Sequence, residues 1–238
     1  MKPTLFLLSG LLCDDAIWFE QRDALAPLVD VRMLHFRGLQ DLRSMAKTVL
    51  RQAPPSFLVA GHSMGARVAL EVSRYVPESV LSMALLDSGV HPPRFGEHEK
   101  REALLALARE KGMAELAEKW IPAMVHPRHL NNGRLMYTLS SMVQRYTVDD
   151  FAGQVKAMLY RADAAPALIA YPGHTLIACG RQDAWAPLAQ HEAMARLTPR
   201  CDLLVIEDSG HMVTLEQPQA TSRLLTDWVE GVLEEQSL

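Results

Sequence analysis

Short apolar runs bounded by turn residues punctuate the chain at 4–8, 31–34, 57–60, 81–86, 175–179 and 203–206. Runs of this length without strict alternation fit strands covered on both faces, as in a mostly parallel sheet. Helical patterns lie between and after them. The clearest is at the C-terminal end, where Leu224, Leu225, Trp228, Val229, Val232 and Leu233 repeat at spacings of one and three, giving a stripe that should pack on the sheet. Strand and helix alternating over this length predict an α/β architecture: a mostly parallel, doubly wound central sheet flanked by helices.

The alternation stops between about His91 and Ala167. No strand pattern appears there, and helical stripes succeed one another: Met113, Leu116, Ala117, Trp120, Ile121 and Met124, then Leu135, Met136, Leu139, Met142, Val143 and Tyr146. His91, Pro92 and Pro93 on one side and Tyr171, Pro172 and Gly173 on the other are turn-rich and suited to be hinges. The expected organisation is one core made of 1–90 and 167–238, with a helical insertion at 91–166. Five of the 12 methionines, Met113, Met124, Met136, Met142 and Met158, fall in the insertion, and as pliable side chains they suit an adaptable apolar site as well as plain packing.

Composition agrees with a single domain. The chain has 238 residues of which 49% are apolar, enough to bury a substantial core. A net charge of −4 with no long Lys or Arg run argues against a nucleic-acid partner. The segment 4–12 is interrupted by Ser9 and Gly10 and closed by Asp14 and Asp15 without a small-residue cleavage site, so it reads as a buried strand and its loop rather than a leader peptide. No stretch approaches the roughly 18 apolar residues of a membrane span. Cys13, Cys179 and Cys201 are odd in number and lack C-x-x-C spacing, which suggests neither disulfides nor zinc and makes a cytoplasmic location the expectation.

Candidate chemistry concentrates where strands end. Gly61, His62, Ser63, Met64 and Gly65 form a G-x-S-x-G directly after the run 57–60 and before a helical stretch. Flanking glycines permit a sharp strand-to-helix turn that projects the Ser63 hydroxyl near the positive end of the helix. A serine hydroxyl needs a base and a group to orient that base. Asp183 follows the run 175–179 through Gly180, Arg181 and Gln182, and His211 follows the run 203–206 through Ser209 and Gly210. The order Ser63, Asp183, His211, each just beyond a strand, is that of the α/β-hydrolase arrangement.

On these residues the chain resembles the α/β-hydrolase fold superfamily, in its group of small bacterial esterase-like enzymes with a helical lid. The resemblance runs from Thr4 to about Val232 and rests most specifically on the elbow at Gly61 and Gly65, on Gly180 to Asp183, and on Gly210 with His211. It implies Ser63 as nucleophile, His211 as base and Asp183 as its orienting acid, with the insertion as lid. It also implies an oxyanion hole made by the backbone N–H groups of Met64 and Leu11, with Leu12 second to Leu11. Two departures stand out: Ser9 and Gly10 occupy the place of the family's usual His-Gly pair, and the β-hairpin that commonly precedes the first strand is missing, so the sheet should be one or two edge strands shorter.

Asp87 also follows a strand and lies between Ser63 and His211. It is the rival acid, read otherwise as a helix or turn cap beside Ser88 and Gly89. Asp14 and Asp15 read as caps of the helix that begins at Ile17 and Trp18. His62 is too close to Ser63 to face it and should fix the turn. His126 and His129 flank Pro127 without a third ligand nearby, so no metal is expected. Trp18, Trp185 and Met142 are the candidate substrate-contacting side chains, with packing as the alternative. The expected activity is hydrolysis of a carboxylic ester with a small or medium apolar acyl group through an acyl-enzyme, without a cofactor and with a small molecule as the only implied partner. The same triad would serve thioester, lactone or carbon–carbon bond hydrolysis, and a non-catalytic relative could keep the pocket as a receptor. Oligomeric state has no signature in the sequence.

Overall fold

A computed structural model describes residues 2–236. Six strands form one sheet, β1 (Thr4–Leu8), β2 (Asp30–Leu34), β3 (Phe57–His62), β4 (Val80–Leu86), β5 (His174–Gly180) and β6 (Cys201–Ile206). Their order is β2-β1-β3-β4-β5-β6 and every pairing is parallel. All six apolar runs are strands. β1 and β3 are buried throughout, but β2 and β6 are half exposed, contrary to the expectation of cover on both faces. They are the outermost strands, where pairing and helical cover end.

Helices α1 (Phe19–Leu25), α2 (Leu42–Leu50), α3 (Met64–Tyr75), α8 (Leu188–Ala195), α9 (Val213–Glu216) and α10 (Pro218–Glu235) lie within the strand-bearing parts of the chain. α1 packs on α10, α2 on α3, and α8 on β5 and β6. The predicted C-terminal stripe buries Leu225, Trp228, Val229 and Val232, and the Trp228 indole donates to Ser82 Oγ of β4 at 2.9 Å. Each fully buried aliphatic or aromatic side chain of this kind contributes roughly 1.5–3 kcal/mol of transfer free energy.

Between β4 and β5 the chain is helical: α4 (Glu97–Trp120), α5 (Gly133–Gln144), α6 (Val148–Leu159) and α7 (Ala165–Ala170). Gly112, at φ 84°, breaks α4 in two, and the stripe read from Met113 to Met124 runs through its second half into a short 3-10 turn around Pro122. α5 starts on an Asn132 cap and α6 on a reciprocal Thr147–Asp150 box, each meeting otherwise orphaned first-turn N–H groups. α4 packs on both α5 and α6. Among the described residues no helix is long and apolar enough to cross a membrane.

The strand order fixes where a ligand can bind. From β1 the chain goes outward to β2, then crosses back to place β3 on the other side of β1. This reversal opens a crevice beyond the C-terminal ends of β1 and β3. Ser9 to Leu12 follow β1 there, Ser63 follows β3, Asp87 follows β4, and the loops bearing Asp183 and His211 follow β5 and β6.

Candidate active site

Ser63 sits between β3 and α3 at φ 54° and ψ −115°, a backbone region costly for a non-glycine residue. The turn is held open by its neighbours. Ser63 N–H donates to Leu86 O at 2.8 Å, and Ser88 Oγ donates to Ser63 O at 2.9 Å. A Cβ on Gly65 would run into the Leu8 carbonyl and one on Gly61 into the backbone of Gly65 and Ala66, so both flanking positions demand glycine. The elbow therefore exists because α3 springs from β3 at backbone contact distance.

His211 closes on Ser63 from the far side of the crevice. Its Nε2 lies 2.9 Å from Ser63 Oγ and its Nδ1 lies 2.7 Å from Asp183 Oδ2. The other Asp183 oxygen, Oδ1, accepts the Trp185 and Ala186 N–H groups at 2.7 and 2.9 Å. Burial works to raise the Asp183 pKa, but His211 and these two amides outweigh it and hold the carboxyl below its ordinary value. Serine, imidazole and an ionised carboxylate thus stand in one hydrogen-bonded row, with the histidine and aspartate buried and the serine open to the crevice.

Asp87 takes no part in that row. It is fully buried at φ 48°, and its carboxylate accepts Gly180 N–H at 3.0 Å and Val213 N–H at 3.4 Å while lying 3.5 Å from His62 Nε2. The reading of Asp87 as a cap of its own turn is corrected accordingly: the side chain points back across the strand ends and ties β4 to β5 and to the start of α9. His62 Nε2 donates to the His211 carbonyl at 2.7 Å. Burial opposes charge on His62, but Asp87 beside it raises the pKa to about 10, so the imidazole keeps its proton at neutral pH and remains a donor to the His211 backbone.

Leu11 and Met64 face the same point. Both line the small recess of about 30 Å³ that also contains Ser63 and His211. Met64 opens α3, where an N–H has no carbonyl one turn back within the helix. Leu11 N–H donates to no protein acceptor among the described residues, whereas Leu12 N–H is spent on Gln154 Oε1 at 2.8 Å. A Cβ at Gly10 would press on His62 and Ser63, so the loop needs this glycine although Ser9 replaces the usual histidine.

A cavity of about 470 Å³ extends from Ser63 and His211 between the strand ends and helices α4 and α6. Trp185 lines both this cavity and the recess, with its indole N–H on Ala123 O at 3.1 Å. Met158 lines both as well, and Met124 lines the recess. Trp18 and Met142 line neither, and the expectation that they touch substrate is corrected: Trp18 has no exposed surface and Met142 is 1% exposed, because both fill the apolar core. A more open hollow of about 530 Å³ along Asp14, Phe19, Tyr137 and Arg145 reaches neither Ser63 nor His211. Asp14 caps the turn before α1, accepting Ala16 N–H, and is also gripped by Arg145 of α5 at 2.7 and 3.0 Å. Among the described residues no group of three His, Cys, Asp or Glu side chains could hold a metal ion.

The model of the Alpha/beta hydrolase family matches residues 7–224. The chain belongs to that family. Among curated proteins it is similar to the biotin biosynthesis bifunctional protein BioHC of Cellvibrio japonicus, at 23% identity over 244 residues covering 96% of this chain and 48% of that protein, so the chain spans about half the length of that relative. Two solved structures share its fold. One is a thermophilic esterase from Thermogutta terrifontis (TM-score 0.87, 24% identity, 98% of this chain and 91% of that one). The other is the enol-lactonase from Burkholderia xenovorans LB400 (TM-score 0.87, 19% identity, 97% and 92%).

As a member of this hydrolase family the chain carries two supports that its sequence did not disclose. Glu216, on α9, accepts Gly210 N–H and Met212 N–H on Oε1 and His126 N–H on Oε2, with His129 Nδ1 at 2.9 Å from Oε2. It staples the His211 loop from both sides. Gln154, on α6, holds Leu12 N–H and donates to Phe36 O at 3.2 Å. The sequence offers no signal beyond a lone Glu after Val213, Thr214 and Leu215 and a lone Gln within α6, which ordinary surface positions share.

Proposed function

We propose that the protein is a serine hydrolase that cleaves a carboxylic ester with a small or medium apolar acyl group through an acyl-enzyme. The observation that carries this reading is the row Asp183, His211, Ser63 at 2.7 and 2.9 Å, with its Ser63 and His211 end on a cavity. In the mechanism, His211 Nε2 takes the proton of Ser63 as its Oγ attacks the ester carbonyl. The Leu11 and Met64 amides receive the oxyanion, and His211 returns the proton to the departing alcohol. Water then enters and bonds to the acyl carbon as it gives a proton to His211, and His211 passes that proton to Ser63 Oγ as the bond to the acyl group breaks and the acid leaves. Asp183 keeps the Nδ1 proton and orients the ring. The helices α4 to α6 act as the lid, and Trp185 and Met158 wall the acyl site. No step calls for a metal or cofactor.

The test is steady-state hydrolysis of p-nitrophenyl esters across a series of acyl lengths, with Ser63→Ala alongside. Saturable turnover that peaks at one acyl length and disappears in the variant is the expected result. Equal rates in the two proteins would remove Ser63 from the chemistry and the ester reading with it.

A further inference from the structure

The lining of the Ser63 cavity carries an excess of positive charge that the ester mechanism does not use. Arg67, Arg94, Lys100, Arg101 and Arg161 all line it. Two acids line it as well, and both are engaged: Asp87 as described, and Glu97 in a fork with Arg161 at 2.6 and 2.7 Å that also takes Arg101 Nε at 2.8 Å. Burial works to raise the Glu97 pKa, but Arg161 and Arg101 bring it down to about 2, so its charge is already spent on them.

Arg67 is left over. It stands one helical turn beyond Ser63 on α3 and is 4% exposed. Side chains on a helix lean toward its N-terminal end, which for Arg67 is the Ser63 end. One guanidinium nitrogen, Nη2, donates to His91 O at 2.7 Å, and the other, Nη1, is buried with no partner among the described residues. Arg161 Nε claims the same His91 carbonyl at 3.3 Å, so no second acceptor is spare. Burial and the neighbouring Arg161 push the Arg67 pKa down to about 9, still protonated at neutral pH. A buried, charged donor left without its acceptor, on a residue that lines a cavity, is a group awaiting one.

We propose that this wall is the receptor for a carboxylate at the far end of the substrate, with Arg67 as the buried contact and Arg94 and Lys100 as the exposed rim that attracts it. The inference rests on the ester reading of Ser63 and narrows it, replacing a wholly apolar acyl group with one that is apolar along its methylenes and ends in a carboxylate: the substrate class is the monoester of a dicarboxylic acid. Its ester end meets Ser63, its methylenes run along Leu104, Met158 and Trp185, and its free carboxylate reaches Arg67. A planar carboxylate matches a guanidinium fork, and such a charge-assisted pair in a water-poor site separates charged from neutral ligands by about tenfold to a hundredfold.

The experiment compares monomethyl esters of succinate, glutarate and adipate with their dimethyl esters. The expected kcat/KM favours the monoester of one chain length by at least about tenfold, and the preference shrinks as salt is added. Arg67→Gln narrows the ratio of charged to neutral substrate toward one. Arg94→Gln, at an exposed position, narrows it less but in the same direction, with circular dichroism of both variants confirming that they are folded. In parallel, calorimetric titration of the Ser63→Ala protein with the monoester and the dimethyl ester reads binding without turnover, and the monoester should bind more tightly. Dimethyl esters hydrolysed through Ser63 with no preference for the monoester, and equal binding of the two in the titration, would overturn the carboxylate receptor and leave the hydrolase reading standing. Tighter monoester binding in a protein that turns over neither ester would do the opposite. Inorganic phosphate competing better than adipate would also overturn the assignment to a carboxylate.

Discussion

Replacing Asp183 by Asn should nearly abolish activity, and the geometry says why a change of one atom suffices. Asp183 Oδ1 is pinned by two backbone donors, Trp185 N–H and Ala186 N–H, at 2.7 and 2.9 Å. An asparagine must keep its carbonyl oxygen on those donors, so its NH₂ falls at the Oδ2 position, 2.7 Å from His211 Nδ1. There it donates, and His211 has to accept on Nδ1 and carry its proton on Nε2. Nε2 then presents a proton to Ser63 Oγ instead of a lone pair, and the base is lost although every heavy atom stays in place. A wrong tautomer in this arrangement costs about 10⁴ in kcat, which at about 1.4 kcal/mol per decade is roughly 5 kcal/mol of transition-state stabilisation. Asp87→Asn is the matched control: Asp87 contacts Gly180, Val213 and His62 but not His211, so its effect on kcat should stay within about tenfold. The assay is steady-state hydrolysis of p-nitrophenyl butyrate at neutral pH, with circular dichroism to confirm folding. A folded Asp183→Asn protein that loses less than about a hundredfold, or an equal loss in Asp87→Asn, would refute the tautomer argument and the choice of acid.

Gln154→Leu strands the Leu12 N–H and the Phe36 carbonyl, so thermal unfolding should show a loss of about 1–3 kcal/mol. Because the same contact sets the loop that carries Leu11, kcat should fall by up to about a hundredfold with a smaller change in KM. Ser63→Gly should be more stable than Ser63→Ala by about 1 kcal/mol in urea unfolding: relief of a backbone strain of about 1–3 kcal/mol at φ 54° exceeds the glycine entropy penalty of about 0.4–1 kcal/mol. Glu97 has a folded pKa of about 2 against an ordinary 4.5, so the stability it supplies is complete above about pH 4.5 and is lost as the pH falls toward about 2. Glu97→Gln should flatten the wild-type fall in Tm across that window, and a Tm profile indifferent to the substitution would show that the arginine cluster does not depend on this carboxylate.

The strands and the row of Ser63, Asp183 and His211 were legible because their signals are local. A strand announces itself in four to six largely apolar residues, and the glycines of the elbow stand within two residues of Ser63, although Gly65 answers to the Leu8 carbonyl of β1. The edges β2 and β6 differ from the expectation of full cover because, although Val, Met, Leu and Ile dominate them, Asp30, Arg32 and Asp202 interrupt them and exposure is decided by what lies beside them. Trp18 was misplaced for a related reason. Proximity in sequence to the Leu11 loop says nothing of direction, and the large ring was needed to fill the core. Arg67 and Glu216 are not legible because their meaning depends on partners away in sequence: His91 for one, and for the other His126 and His129 as well as the nearby Gly210 and Met212. A helix-borne arginine is ordinary until the structure shows that one of its nitrogens is buried without an acceptor.

The supports around His211 show why the helical segment is more than a cover in the proposed mechanism. Ser63 belongs to β3, while His211 follows β6 at the far edge of the sheet, so the 2.9 Å contact between them must be enforced from outside the two strands. Three restraints do this. His211 N–H donates to Met124 O at 2.7 Å, His62 Nε2 donates to His211 O at 2.7 Å, and Glu216 clamps the amides of Gly210 and Met212 on either side. The first restraint comes from the turn after α4, and Glu216 also takes the N–H of His126 from the same stretch. The base is therefore anchored equally to the nucleophile's own strand, through His62, and to the helices that wall the cavity. A displacement of the segment around Met124 would therefore pull on the His211 backbone directly, through the 2.7 Å bond to Met124 O.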